Sequence, residues 1–222
     1  MPRTRDVEIR GLRFYVWRLR RSRLRREFHS RVASQVASVY RGGWAIDVGC
    51  GPGYLEGLLA SRLLDARVIG LDVNRRMLSL ARSAGVIDVV QAKSSGLPFR
   101  NGRIDLIVST ASLKDWADPL KGLTEMLRVL SPDGTALVYE FITVGPAARP
   151  RGFAQRFGLV SDLLRRAARF AAPFRLQDAY QLASALPHHA GVLVRTEADL
   201  GVVRLMIRRR TNAGDLGTAN LE

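Results

Sequence analysis

From Trp44 onward the chain alternates short, nearly continuous apolar runs with longer segments whose apolar residues recur every three or four positions. The short runs read as strands buried on both faces, the longer segments as amphipathic helices. Trp44–Val48, Arg67–Leu71, Val86–Gln91, Ile104–Ser109 and Thr135–Ile142 are the predicted strands. The predicted helices between them are Tyr54–Leu64, with Leu55, Leu58, Leu59 and Leu63 on one face, Asn74–Ala84, and Pro119–Leu130. Asn74 suits an N-cap, Gly85 a C-terminal stop, and Ser131-Pro132-Asp133-Gly134 a turn. This alternation predicts an α/β fold, a Rossmann-like three-layer sandwich with helices on both faces of a mostly parallel sheet.

The flanks follow other patterns. Ahead of the first strand, Leu24, Phe28, Val32, Val36 and Val39 mark one apolar stripe, and Arg41-Gly42-Gly43 ends it. The stripe predicts a helix of about 19 residues. Beyond the fifth strand, Gly145–Pro173 is rich in Ala, Arg, Pro and Gly, with a helical stretch near Gly158–Phe170. Leu176–Leu186 reads as a short helix. Gly191–Thr196 and Gly201–Arg209 read as a hairpin joined by Glu197-Ala198-Asp199-Leu200. The expected organisation is a basic N-terminal extension and helix over 1–43, one domain over 44–210 with 145–187 as a lid or specificity insert, and a flexible tail over 211–222.

Composition narrows the function classes. A chain of 222 residues fits one such domain. The lone Cys50 excludes an intrachain disulfide or a cysteine metal cluster, and His29, His188 and His189 make a poor zinc set, so no metal is expected. No apolar run approaches the roughly 20 residues that span a bilayer, and the N-terminus lacks a signal-peptide core. A cytoplasmic protein is expected, with peripheral membrane attachment left open. The formal net charge is +15, and Lys93, Lys114 and Lys121 are the only lysines among 35 Lys and Arg. Eleven arginines fall in the first 31 residues. A surface this positive attracts RNA or anionic lipid, and Arg20, Arg21, Arg23, Arg25 and Arg26 would carry that contact. Arginine bias in the genome accounts for the charge equally well.

The candidate chemistry lies at the first turn. Ala45–Tyr54 reads AIDVGCGPGY, in which Gly49, Gly51 and Gly53 allow a sharp turn and close approach to a ligand. A helix N-terminus follows, where a carboxylate or phosphate can sit. Alone this G-x-G-x-G is weak and would also fit a dinucleotide. Asp47 aims an acidic group into the same crevice, which suits a cationic ligand. Asp72 ends the second strand, where a carboxylate can accept ribose hydroxyls. Leu97-Pro98-Phe99 follows the third strand and is a candidate wall for an adenine.

In combination AIDVGCGPGYLEGLLA (45–60), VIGLDVNRRMLSLAR (68–82), SSGLPFRNGRIDLIVSTASLKDWADP (94–119) and EMLRVLSPDGTALVYE (125–140) resemble the class I S-adenosylmethionine-dependent methyltransferases, in the group of quinone-biosynthesis and small-molecule methylases. The resemblance implies a seven-stranded sheet whose last strand runs antiparallel. It implies S-adenosyl-L-methionine as cofactor, with Gly49 and Gly51 at its methionine part and Asp47 orienting its ammonium. Asp72 would bind the ribose, and Val73 and Met77 would flank the adenine. Ser94 would lie at the adenine edge, and Ser109 and Thr110 would face the sulfonium. The family often has G-D-A where this chain has Ala92-Lys93-Ser94, and a lysine cannot accept the adenine amine. Phe28–Ala33 is similar to a segment that closes over the cofactor in the quinone-type enzymes.

For the acceptor, the candidates are Lys114, Asp115 and Trp116 after the fourth strand, Tyr139 and Glu140 at the end of the fifth, and His188 and His189. None is singled out as a general base. The expected activity is methyl transfer to a small or lipid-like acceptor. An RNA-directed methyltransferase and a catalytically silent cofactor- or RNA-binding module are the alternatives. Trp17, Leu19 and Leu24 would pack within the chain or in a dimer, so monomer and dimer both stand.

Overall fold

The computed structural model describes residues 23–63, 66–86, 88–142, 174–186, 192–199 and 202–209. Within them the elements run α1 (Arg23–Val39), β1 (Trp44–Val48), α2 (Tyr54–Ala60), β2 (Arg67–Asp72), α3 (Arg75–Ser83), β3 (Val89–Gln91), β4 (Ile104–Thr110), a 3-10 turn (Leu113–Asp115), α4 (Pro119–Val129), β5 (Leu130–Phe141), α5 (Leu176–Ala185), β6 (Val192–Asp199) and β7 (Val202–Arg209). One seven-stranded sheet has the order β3-β2-β1-β4-β5-β7-β6. All pairs from β3 to β5 are parallel, and β7 runs antiparallel to both β5 and β6. This is the expected Rossmann-like three-layer arrangement.

Strand alternation sends the two cores to opposite faces of the sheet. On one face Ile46, Val48, Ile107, Ala136, Val138, Val203, Leu205 and Ile207 bury against Leu123 and Met126 of α4 and Ala179 and Ala183 of α5. On the other, Ala45, Leu106, Val108, Leu137 and Tyr139 bury against Val32, Ala33 and Val36 of α1 and Leu55 and Leu59 of α2. Val32 and Val36 of the predicted stripe are therefore on the buried face of α1, with Phe28 and Val39 at the margin, while the Leu24 side chain lies outside the described residues.

Several boundaries differ from the pattern, each for a local reason. α2 stops at Ala60 rather than Leu64. β3 starts at Val89 rather than Val86. There Gly85 takes φ +92° and its N–H donates to the Arg82 carbonyl, while the N–H of Val86 donates to that of Ala81. This double closure of the α3 C-terminus holds Val86 in a cluster with Leu78, Ala81, Cys50 and Val89 instead of in the sheet. Ser131–Gly134 is not a free turn. It sits inside β5 as an irregularity, since Ile104 pairs Leu130 but Leu106 pairs Thr135, and Asp133 absorbs the extra length at φ +63°. Hairpin pairing continues to Asp199↔Val202, so Glu197, Ala198 and Asp199 belong to the ladder and not to the connection. The helical stretch near 158–170, most of the insert over 145–187 and the tail over 211–222 lie outside the described residues.

One side chain ties the 97–101 loop to α4. Arg128 donates to the carbonyls of Leu97 and Phe99 (3.0 Å each), to Asn101 Oδ1 (2.7 Å) and to both Glu125 oxygens (2.7 and 2.8 Å). Glu125 also accepts from the Leu97 N–H at 3.0 Å and is held below its usual pKa by the Arg128 hydrogen bond. Partial exposure of both side chains discounts the ion pair, but not the loop carbonyls that would lose their donor. Arg128→Ala is expected to lower stability by about 1–2 kcal/mol, read as a shift of the urea midpoint at unchanged m.

Candidate active site

The sheet order reverses between β1 and β4, because β1 leads to β2 on one side while the chain later returns to β4 on the other. Open α/β sheets form a crevice at the carboxyl ends of strands at such a point. The glycine turn, the end of β2, the 3-10 turn and the end of β5 all meet there.

The glycine turn is latched from below. The N–H groups of Gly49 and Cys50 both donate to the Leu71 carbonyl of β2 (2.7 and 2.9 Å), and the Gly51 N–H donates to Asp72 Oδ2 at 2.9 Å. Asp72 Oδ1 accepts the Asn74 N–H at 2.7 Å, and Asn74 in turn caps α3 through the Arg76 N–H at 3.0 Å. Asp72 thus holds the turn to the start of α3, while each of its oxygens keeps a second lone pair. Burial raises its pKa, against the two backbone donors.

The glycines have separate jobs. At Gly49 (φ +82°) a Cβ would lie 2.4 Å from Ser112 Oγ, so the glycine is required by close packing against the residues after β4. At Gly51 (φ +56°) a Cβ would meet nothing within 4 Å, so this is the position where the backbone faces open space. Gly53 lies against Val86 and Ala81 of the α3 side. α2, which follows, has seven residues and contributes little terminal field.

Charge dominates the floor. Asp47 is 1% exposed and Glu56, on α2, is 3% exposed, yet no oxygen of either has a hydrogen-bond partner. Parallel register places Asp47 opposite Gly70. A Cβ at Gly70 would fall 2.6 Å from Glu56 Oε1 and 3.0 Å from the Cys50 sulfur, so the missing side chain makes the space that both occupy. The Cys50 thiol donates to the Gly51 carbonyl at 3.6 Å. Burial pushes the Asp47 carboxyl well above its usual range, and the negative Glu56 and Asp72 add to the rise. Burial likewise pushes Glu56 up to about 7 and the Cys50 thiol far up. Two unpaired buried carboxylates cost several kcal/mol in isolation. An arrangement of this kind calls for a cation.

Past β4, Ala111 adopts φ +52°, a costly conformation for alanine, and its N–H is fixed to the Tyr139 carbonyl at 2.7 Å. The bend returns Ser112 onto β1. Its hydroxyl donates to the Val48 carbonyl (3.1 Å), lies 2.8 Å from Ser109 Oγ and accepts from Trp116 Nε1 (3.2 Å). Trp116 packs against Gly122 of α4, where Ser94 also approaches. Glu140, 1% exposed, braces the 3-10 turn by accepting the Lys114 N–H at 3.1 Å, and it accepts the Phe141 N–H at 2.9 Å. Lys114 Nζ pairs with Asp115 at 2.6 Å. Beyond Lys114 opens a cleft of about 500 Å³ between the start of α4 and α5, lined by Pro119, Phe174, Leu182 and Ala185 with Asp178 and Gln181.

The candidates divide accordingly. Asp47, Gly49, Gly51 and Asp72 come together, with exposed Val73 and half-buried Met77 following. Ser94 and Thr110 are half-buried. Ser109 is fully buried and bonded to Ser112. Tyr139 is buried under α1, and its hydroxyl donates to Gln35 Oε1 at 2.8 Å, away from a base role. Leu97 is a core residue, and half-buried Phe99 packs on the same core. Lys93 is exposed, in a bridge with Gly96. His188, His189, Arg20 and Arg21 lie outside the described residues. Glu56 and Ser112 carried no functional assignment from the sequence, whereas Glu140, a candidate there, braces the 3-10 turn. The glycine inside the apolar run of β2 was the available signal for Glu56, since such a glycine marks a close approach.

Residues 46–138 match the methyltransferase domain family. Over 113 residues the chain is 34% identical to the ubiquinone/menaquinone biosynthesis C-methyltransferase UbiE of an Enterobacter species, covering 47% of this chain and 45% of that protein. The chain spans about half the length of the curated relatives it matches. A structure described as an S-adenosyl-L-methionine-dependent methyltransferase from Methanococcus maripaludis superposes with TM-score 0.66 at 19% identity, covering 83% and 86% of the two chains. The plantazolicin methyltransferase BpumL, in complex with a monoazolic desmethylPZN analog and SAH, superposes with TM-score 0.70 at 12% identity, covering 92% and 91%. The chain carries a methyltransferase domain over residues 46–138 and is similar there to the class I S-adenosylmethionine-dependent methyltransferases. The residues of this methyltransferase fit that cofactor. The unpaired Asp47 carboxylate suits an ammonium, Gly51 leaves room for close approach, and Asp72 keeps acceptors for ribose hydroxyls.

Two outcomes follow from this geometry. Gly49→Ala must displace Ser112 and is expected to destabilise by several kcal/mol, whereas Gly51→Ala adds only the left-handed strain of about 1–2 kcal/mol and stays folded. Thermal melts of both variants check the contrast. Glu56 binds its proton more tightly in the folded ligand-free protein than its ordinary value of 4.5 allows in the unfolded chain. Its contribution therefore lowers stability as pH rises from about 4.5 to about 7, and the loss persists above that. The stability of Glu56→Gln relative to wild type is expected to grow by about 3 kcal/mol between pH 4 and pH 8 in urea titrations.

Proposed function

We propose that the chain transfers a methyl group from S-adenosylmethionine to a small or lipid-like acceptor. The observation that carries this reading is the unpaired, buried Asp47 carboxylate at the crevice of the sheet, on the same edge as a largely apolar cleft. The cofactor supplies a methyl group on a sulfonium, and its departure leaves a neutral thioether, so no strong acid is required. The chain's own part is positional. Asp47 accepts the ammonium, the remaining lone pairs of Asp72 accept ribose hydroxyls, and Val73, Met77 and Ser94 border the base. Thr110 and Lys114 mark the way from there to the cleft. Phe174, Leu182, Ala185 and Pro119 exclude water from the acceptor, and holding two reactants at attack distance supplies most of such a barrier reduction. UbiE is named for ubiquinone and menaquinone biosynthesis, and a lipid-like ring would suit the same apolar lining.

A second reading keeps the cofactor and changes the acceptor to RNA. It is favoured by the net charge of +15 and by Arg23, Arg25 and Arg26 on α1, continuing the arginine run that includes Arg20 and Arg21. The same run on an anionic membrane would place the enzyme peripherally at a lipid acceptor.

Isothermal titration is expected to show S-adenosylmethionine binding to wild type, weakened about a hundredfold in Asp47→Asn, as for other buried charge contacts. Leu182→Trp, which fills the cleft, is expected to leave that affinity unchanged while abolishing transfer of labelled methyl into the lipid and metabolite fractions of cell extract. No cofactor binding by wild type would defeat the reading. Label appearing in RNA, unaffected by Leu182→Trp, would replace the small acceptor with the second reading.

A further inference from the structure

Glu56 has no part in the scheme above, yet it is the less expected of the two buried carboxylates. It belongs to α2, not to the strand that carries Asp47, and it enters the space that Gly70 leaves on β2. The titratable groups that face it are Asp47 from β1, Cys50 from the glycine turn and Asp72 from the end of β2, and all of them are acidic or neutral. Both Asp47 and Glu56 are more than nine-tenths buried; neither Asp47 oxygen has a hydrogen-bond partner, and Glu56 is approached only by the Cys50 thiol and its own N–H. Two carboxylates placed together out of water cannot both ionise without a compensating cation. A single proton held between them removes most of the repulsion, and an ammonium delivered to Asp47 removes the need for the proton.

We propose that Glu56 is a cofactor-positioning residue that holds a proton jointly with Asp47 in the ligand-free protein and gives it up to solvent when the ammonium of S-adenosylmethionine binds. The inference rests on the methyltransferase reading. One proton leaves the carboxylate pair, one positive charge arrives on the ligand, and the charge of the pocket is conserved. The function gained is a carboxylate pair that carries one negative charge without cofactor and two with it, the second balanced by the arriving ammonium. Cofactor uptake is then coupled to pH over the range in which Glu56 titrates; burial places that range near 7.

The test is calorimetric titration of S-adenosylmethionine into the full chain at pH 6, 7 and 8, each in two buffers of different ionisation enthalpy. Wild type is expected to release close to one proton at pH 6, falling toward zero at pH 8, with affinity rising toward tenfold per pH unit at the acid end. In Glu56→Gln the amide can donate to Asp47 and keep it ionised. Proton release is then expected to vanish and the affinity to become flat with pH while binding persists. Wild-type binding without proton release at pH 6 overturns the proposal with no reliance on a variant, and so does a Glu56→Gln protein that releases the same proton. Absence of any binding at every pH defeats the methyltransferase reading itself, and this inference with it. A separate readout needs no ligand. The carboxyl stretching band of a buried protonated acid is expected in infrared spectra of the ligand-free protein at pH 6, and its persistence unchanged in Glu56→Gln would assign the proton elsewhere.

Discussion

The charge on Asp47 organises the crevice around it. A carboxylate at the end of a central strand, buried with neither oxygen satisfied, is a cost that the fold carries only because a cation can come to it. Much of the surrounding geometry keeps that group dry. Leu71 and Asp72 hold the glycine turn by its N–H groups so that it arches over the end of β1 without filling it. Gly51 leaves the one side of the arch open that a ligand needs. The residues that return from β4 close the other side, because Ser112 reaches back to Val48 and comes within a methyl group's width of Gly49.

The closing side is built with the same economy of parts. Ala111 accepts a left-handed conformation so that β4 can bend sharply, and the Tyr139 carbonyl of the neighbouring strand fixes the bend. Glu140, the next residue of β5, then ties down the 3-10 turn through the Lys114 N–H. Two adjacent strands thereby set the position of Lys114 at the mouth of the apolar cleft. Strain at one residue and burial of one acid, whose pKa rises through desolvation, hold the border between the glycine-turn crevice and the apolar cleft.

Legibility in the sequence tracked how local each signal was. Asn74 as a cap, Gly85 as a stop and the stripe of Val32 and Val36 depend on neighbours within a few turns, and they hold in the structure. Boundaries moved for two reasons: Val86 is kept from β3 by the local closure of α3, and Ser131–Gly134 is absorbed into β5 because Leu130 still pairs with the distant Ile104. Side-chain roles followed the same rule. Asp47 and Asp72 stand at strand ends within a spaced motif and could be read. Glu56 sits beside Leu55 in a short helix, and only the pairing of β1 with β2 reveals that Gly70 opens a chamber for it. Leu97 and Phe99 read as ligand-facing by their position after β3, but Arg128, 31 residues from Leu97 in sequence, draws their loop onto α4 and into the core.

The same reasoning separates the two halves of the active site. Recognition of a nucleoside-bearing cation is done by backbone turns and strand ends, whose geometry repeats wherever the sheet topology repeats, so short motifs carry it. The cleft assigned to the acceptor in the proposed function is lined by side chains of α5 and the start of α4, brought together across about 60 residues of intervening chain. No spacing rule links Pro119 to Leu182. What links them is that α5 packs Ala179 and Ala183 onto the sheet face that also receives Leu123 and Met126 of α4, which leaves Leu182 and Ala185 turned toward the cleft. The size of that cleft is thus a by-product of core packing. In the proposed function the acceptor would be selected by how far apart two helices stand on one sheet, and the cofactor by what β1 leaves unsatisfied.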